Sequence, residues 1–165
     1  MYSPHTSFIQ KNIRQWVDLD RWLQPFAATL TLKQRISIYG DLHSSSVSLT
    51  PDLASQNLKH FLNVLNKRVY GASAQRHGKS ISVLSVIEGG NSKRLHYHLA
   101  LDCPRDDLVE VFPDLVAQIW RSTQWGYHET CVTPCDGGWV TYMTKLRDKP
   151  DFADAIDWMN THNPN

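Results

Sequence analysis

Apolar positions recur at three- and four-residue steps over residues 8 to 23, through Phe8, Ile9, Ile13, Trp16, Val17, Trp22 and Leu23. That period predicts an amphipathic helix that packs against the core and ends near Pro25. Residues 26 to 32 form an unbroken apolar and threonine-bearing run, whose residue types and length predict a buried strand. Residues 41 to 48 are polar and serine-rich, a predicted loop. Thr50 followed by Pro51 is a helix start, and leucines with Phe61 at helical spacing carry that helix to about Arg68. Residues 71 to 78, bounded by two glycines, read as a second loop.

Residues 81 to 88 and 95 to 102 are two apolar runs separated by Gly89, Gly90, Asn91 and Ser92. Such a turn predicts an antiparallel hairpin. Helical material starts at Pro104 and runs to about Arg121, with a break before Pro113 because proline cannot continue the hydrogen-bond ladder. A fourth strand is predicted near 126 to 133. Asp136 caps a helix over about 138 to 147, and 152 to 159 make a last short helix. The order strand, helix, strand, strand, helix, strand predicts an α+β fold, a ferredoxin-like split βαβ core with one antiparallel sheet flanked by helices. No repeat or linker divides the chain, so 1 to 165 reads as one domain with a core over about 26 to 147 and helical decorations at both ends.

Composition narrows this only a little. Hydrophobic residues at 41% and charged residues at 20% are globular values. No apolar run approaches the roughly 20 residues of a membrane span, and a cytoplasmic location is expected. Cys103, Cys131 and Cys135 have no CxxC spacing, which argues against a disulfide framework or zinc ribbon. A net charge of +1 confines any nucleic-acid contact to local patches around Lys33 and Arg35, Lys67 and Arg68, Arg76 and Lys79, Lys93 and Arg94, or Lys145, Arg147 and Lys149.

The chemistry concentrates in Arg94-Leu95-His96-Tyr97-His98-Leu99. Alternate side chains of a strand share a face, so His96 and His98 project together while Leu95, Tyr97 and Leu99 project to the other side. Glu88 lies across the predicted turn from both. One carboxylate with two neutral imidazoles and open water positions suits Mn²⁺ or Mg²⁺. A second feature is Tyr142 with Lys145, three apart on a predicted helix, where phenol and ammonium can meet one phosphate. Neither feature is specific alone; a His-x-His pair and a Tyr-x-x-Lys pair both occur in purely structural settings.

Taken in order, these motifs resemble those of the HUH endonucleases, the rolling-circle replication initiators of plasmids, phages and circular single-stranded DNA viruses. The apolar threonine-bearing strand matches 26 to 32, the His-hydrophobe-His motif matches His96-Tyr97-His98, and the nucleophile helix matches Tyr142 and Lys145. The resemblance covers roughly 26 to 147. A bulky Tyr97 at the centre of the second motif departs from the pattern, and one tyrosine at the nucleophile position favours the single-tyrosine branch.

The resemblance implies metal-dependent nicking and rejoining of single-stranded DNA through a 5′-phosphotyrosine. Tyr142 would be the nucleophile, aided by Lys145, and Glu88, His96 and His98 the ligands of Mn²⁺ or Mg²⁺. Thr31, Lys33, Arg35, Arg94 and Arg147 are the candidate DNA contacts, and Trp120, Trp125 and Trp139 offer rings for stacking. The expected partners are single-stranded DNA in an origin hairpin and a host helicase. ATP is not expected: Gly78-Lys79-Ser80 mimics the end of a P-loop, but Ser73 stands where its first glycine belongs and a strand follows instead of a helix. Two other readings stay open, a related transposase or relaxase and a non-catalytic nucleic-acid-binding module of the same fold.

Overall fold

A computed structural model describes residues 4–39, 44–90, 92–145 and 152–163. In chain order its elements are α1 (Pro4–Trp16), β1 (Pro25–Leu32), β2 (Arg35–Tyr39), β3 (Ser44–Ser48), α2 (Pro51–Tyr70), α3 (Ala72–His77), β4 (Val83–Gly90), β5 (Lys93–Asp102), α4 (Phe112–Ser122), β6 (Gly126–Pro134), α5 (Gly137–Met143) and α6 (Phe152–Ala155). Strands β1, β4, β5 and β6 form one sheet in the order β4-β5-β1-β6. All three pairings are antiparallel. With α2 between β1 and β4, and α4 between β5 and β6, the topology is the expected split βαβ arrangement.

The strands are amphipathic in a way that uses both sheet faces. Phe26, Ala28, Leu30 and Leu32 of β1, with Tyr97, Leu99 and Leu101 of β5, point toward α2 and α4 and join Leu58, Phe61, Leu65, Val116 and Trp120 in the main core. Trp120 is fully buried, with its ring edge-on to Phe61 at 5.4 Å, a contact worth about 0.5–1.5 kcal/mol beyond its buried area. Its indole N–H donates to the Thr31 carbonyl at 2.7 Å, which ties α4 to the middle of the sheet. On the opposite face a smaller core joins Leu84, Val86 and Ala100 to Ile13, Val17 and Trp22 near the N-terminus and to Val140 and Met143.

Several boundaries differ from the sequence reading, each for a local reason. Helix α1 stops at Trp16 instead of running to 23: the Asp18 carboxylate accepts the Asp20 N–H and starts a separate 3-10 turn over Leu19–Arg21. Residues 41–48 are not simply a loop. Their second part, β3, pairs with β2 in a separate two-stranded ribbon, and four serines hid it because only Val47 supplies an apolar signal. Between Gly71 (φ 58°) and Gly78 (φ 61°) the chain forms the short helix α3, the glycines absorbing the turns at both ends. Pro113 does mark a break, standing in the first turn of α4 after a 3-10 turn over Asp106–Leu108.

The C-terminal segment contributes more than the predicted helix. Helix α6 is only four residues long, because the chain then turns into bridges with the outer edge of β4, Ile156 opposite Val86 and His162 opposite Val83. Ser85 is held from both sides, its N–H and hydroxyl by Thr161 and its hydroxyl also by the Asp157 carbonyl. The Asp157 carboxylate in turn accepts the Tyr97 hydroxyl at 3.0 Å and the Asn160 amide at 2.8 Å. Tyr97 is therefore the inward-facing ring expected from strand alternation, with a polar tip that fastens the C-terminal segment across β4.

Burial first, and the Asp157 carboxylate second, push the Tyr97 phenol far above its ordinary value. The folded protein thus keeps this proton where the unfolded chain loses it, above about pH 10, so this contribution to stability is whole below pH 10 and declines as pH rises further. Tyr97→Phe is expected to cost about 1–3 kcal/mol in urea unfolding at pH 7 through the lost hydrogen bond to a carboxylate, with the deficit narrowing between pH 10 and 12. A deficit that is constant across that range would show that the hydroxyl does not act through its proton.

Candidate metal centre and tyrosine site

The site grows out of strand register. Glu88 faces His96 across the β4–β5 pairing, His98 faces Thr29 on β1, and His96 faces Thr31. All five side chains belong to the sheet face opposite α2 and α4. Gly89, with φ of 105°, lets the turn close beside Glu88; a Cβ there would strike the Arg94 carbonyl, so a side chain at this position would push the carboxylate away from the histidines.

Three donor atoms converge. His96 Nε2 and His98 Nε2 are 3.3 Å apart, and the Glu88 Oε2 lies 3.8 Å from the first and 3.5 Å from the second. A point about 2 Å from all three exists, the length of a metal–nitrogen or metal–oxygen bond. The outer nitrogens explain why Nε2 is the free donor in each ring. His96 Nδ1 lies 2.9 Å from the Arg94 carbonyl, which only accepts, so Nδ1 carries the hydrogen and Nε2 presents a lone pair. His98 Nδ1 meets the Thr29 hydroxyl at 3.1 Å, an acceptor for the same tautomer. Two lone pairs and a carboxylate aimed at one point repel each other, and a divalent cation removes that repulsion.

Above this triad sits α5, capped by the Asp136 carboxylate, which accepts the Gly138 N–H at 2.8 Å. Trp139 and Tyr142 share one side of it, stacked at 5.1 Å and nearly parallel. Both rings stand edge-on to His98, at 5.5 and 5.7 Å, and the Trp139 indole N–H donates to the Leu99 carbonyl at 2.9 Å. Tyr142 is 46% exposed, open to a large substrate while resting against a histidine of the triad. The Lys145 ammonium lies 5.0 Å from the Tyr142 ring centroid, within the range of a cation–π attraction.

A family model for replication-associated proteins of the ORF2 and gene-2-protein type matches residues 25–150. The chain belongs to this replication-associated protein family. Neither the curated proteins nor the solved structures contain a match. Family membership gives the chain a role in replication initiation, and the matched span contains the whole four-stranded sheet, the histidine pair and α5. Among the described residues no helix is long and apolar enough to cross a membrane.

Within this replication-associated chain the structure brings Glu88, His96, His98, Tyr142 and Lys145 together. It corrects one detail: α5 stops at Met143 rather than near 147. The Thr144 hydroxyl donates to the Val140 carbonyl at 2.7 Å and accepts from Arg14 at 2.9 Å, while the Thr144 carbonyl accepts from Gln10. Helix α1 thereby grips the end of α5, and Lys145 reaches Tyr142 from just beyond the helix.

The candidate DNA contacts are more scattered. Thr31 is turned to β6, its hydroxyl donating to the Glu129 carbonyl at 2.5 Å. The Lys33 ammonium donates to the Gln124 carbonyl at 3.2 Å. Arg94 lies over the Tyr127 ring at 4.4 Å and 3.8 Å from the Glu129 carboxylate. Arg35 belongs to the β2–β3 ribbon, and Arg147 lies outside the described residues. Trp120 and Trp125 are buried, which leaves Trp139 as the site tryptophan among the three. Cys103 is buried, and burial with the neighbouring Asp136 pushes the Cys135 thiol up to about 11.

Sequence reasoning missed Thr29 and saw Trp139 only as one of three possible stacking rings. Thr29 was visible only as part of an apolar strand, although its alternation with Thr31 marks two polar positions on one face. Replacing it with valine keeps the shape and removes the acceptor for His98 Nδ1. Thr29→Val is expected to weaken Mn²⁺ affinity by about tenfold in calorimetric titration, and His98→Ala to abolish it. Equal Mn²⁺ affinity in all three proteins would mean that the triad is not a metal centre.

Proposed function

We propose that the chain is a metal-dependent, single-tyrosine nicking and rejoining enzyme for single-stranded DNA, of the HUH type, acting at the initiation of rolling-circle replication. The observation that carries this reading is the placement of an exposed tyrosine ring 5.7 Å from His98, on the sheet face where three donor atoms converge. Structural tyrosines and histidines have no reason to share an open site with a carboxylate.

Glu88, His96 and His98 would hold Mn²⁺ or Mg²⁺, which supplies Lewis-acid polarisation of a phosphate oxygen. The Tyr142 hydroxyl oxygen attacks the scissile phosphorus and the bond from phosphorus to the 3′ oxygen breaks. The phenolic proton is released as the 3′ oxygen gains one, so a phosphodiester is exchanged for a 5′-phosphotyrosine and a free 3′-hydroxyl. The reverse attack rejoins the strand with no outside energy source. Lys145, above the ring, favours the negative charge that develops on the phenol oxygen and on the phosphate. Trp139 holds the Tyr142 ring from one side, limiting its rotation.

Denaturing electrophoresis after incubation with single-stranded oligonucleotides and Mn²⁺ is expected to show a covalent protein–DNA band. Tyr142→Phe should abolish the band without changing Mn²⁺ affinity, and Lys145→Ala should slow its formation by roughly 10- to 100-fold, in the range of a lost electrostatic contact. A band that persists in Tyr142→Phe assigns the wrong nucleophile; no band with any origin-derived oligonucleotide overturns the nicking reading.

A further inference from the structure

We propose that the β2–β3 ribbon is a duplex-DNA contact, which seats the base-paired stem of a hairpin substrate beside the triad. The role of the stem in substrate choice rests on the nicking reading; the binding of duplex by the ribbon stands independently of it.

The ribbon stands apart from the main sheet as its own two-stranded sheet. Its inner side is anchored by Ile36 and Val47, cross-strand partners that pack on the main core. On its outer side the cross-strand pairs are Arg35 with Ser48, Ser37 with Ser46, and Tyr39 with Ser44, all of them exposed. The Arg35 guanidinium lies 3.4 Å from the Ser48 hydroxyl, so the two share this side. A row of exposed serines buries nothing and contributes little to folding. Its chemistry is that of a hydroxyl lining, able to donate to phosphate oxygens and to either kind of base edge.

Charge and size select the occupant. The two strands contain no acidic residue, in a chain with 16 of them, and Arg35 adds a cation at the root. Two strands about 4.8 Å apart with their side chains fit a major groove about 12 Å wide, which admits a two-stranded ribbon. A single strand would need a row of stacking rings, and this face has one, Tyr39.

The root of the ribbon is fastened to the site. The Gln34 side chain accepts the Leu95 N–H at 2.9 Å and donates to the Leu95 carbonyl at 3.2 Å, while the Gln34 carbonyl accepts the Leu49 N–H at 2.9 Å. Leu95 immediately precedes His96, so a duplex held by the ribbon is held at a fixed offset from the metal ligands.

Fluorescence anisotropy on the full chain tests this with three probes: a hairpin stem of about one helical turn, roughly 10 base pairs, the same stem with a single-stranded tail, and the tail alone. Ser46→Glu places a negative charge at the centre of the exposed face and is expected to weaken stem binding at least tenfold while leaving tail binding unchanged. Arg35→Ala should lower the salt dependence of stem binding by about one phosphate contact, and Arg35→Lys should restore it. Unchanged stem binding in Ser46→Glu, or equal losses for stem and tail, overturns the proposal, as does a shift in oligomeric state that accounts for the change. The covalent band with the tail alone should persist in Ser46→Glu. Its absence in the unsubstituted protein would sink the nicking reading and leave the stem measurement standing.

Discussion

A slip of one residue in the pairing of β5 would turn His96 and His98 into the main core and Tyr97 into solvent, since strand side chains alternate with a period of two. Every feature of the site depends on that register being held. Tyr97, Leu99 and Leu101 fix it from below through their burial, Gln34 clamps Leu95 on one side, and the tight turn after Glu88, with its irregular step between Glu88 and Gly90, fixes the other. The indole of Trp120 pins the Thr31 carbonyl opposite His96. The hydrophobic effect thus supplies the energy that holds polar groups in a mutually repulsive arrangement on the other face, where they gain little for the fold.

That division explains the extra elements around the split βαβ core. Helices α2 and α4 suffice to cover one face, and a bare second face would expose Leu84, Val86 and Ala100. Helices α1 and α5 cover those positions and stop short of Glu88 and His96, which remain partly open. Thr144 is the joint between the two helices, since its hydroxyl and carbonyl are both engaged by α1. The position of Tyr142 is therefore set by packing remote from the metal ligands, through an N-terminal helix that has no polar role in the site.

The strand positions, the hairpin and the His-x-His face were legible in the sequence because alternation is a direct projection of geometry. So was the association of Tyr142 with Lys145, although the helix ends earlier than its spacing implied. The β2–β3 ribbon was not legible: serine carries no burial signal, and Val47 alone cannot show a period. Nor was the docking of residues 156–163 on β4, because an isolated bridge needs no run of apolar residues. Thr29 escaped notice for a related reason, as its hydroxyl matters only once β1 and β5 are paired. Sequence reasoning finds residues that act through their own pattern and loses those that act through a partner distant in the chain.

Two tyrosines in this chain illustrate what the proposed nucleophile requires. Tyr97 is almost fully buried, and its hydroxyl donates to Asp157, so burial and a carboxylate both oppose loss of its proton. Such a phenol is suited to holding a fold together and unsuited to attack. Tyr142 has the reverse surroundings: its ring is half exposed, an ammonium lies above it, and the indole of Trp139 restricts it without supplying a carboxylate. A positive neighbour stabilises the charge that a departing proton leaves behind, whereas the Asp157 carboxylate would repel it. The contrast follows from which side of the sheet each residue meets, so the register that hides Tyr97 is also what leaves the histidine face open beneath Tyr142.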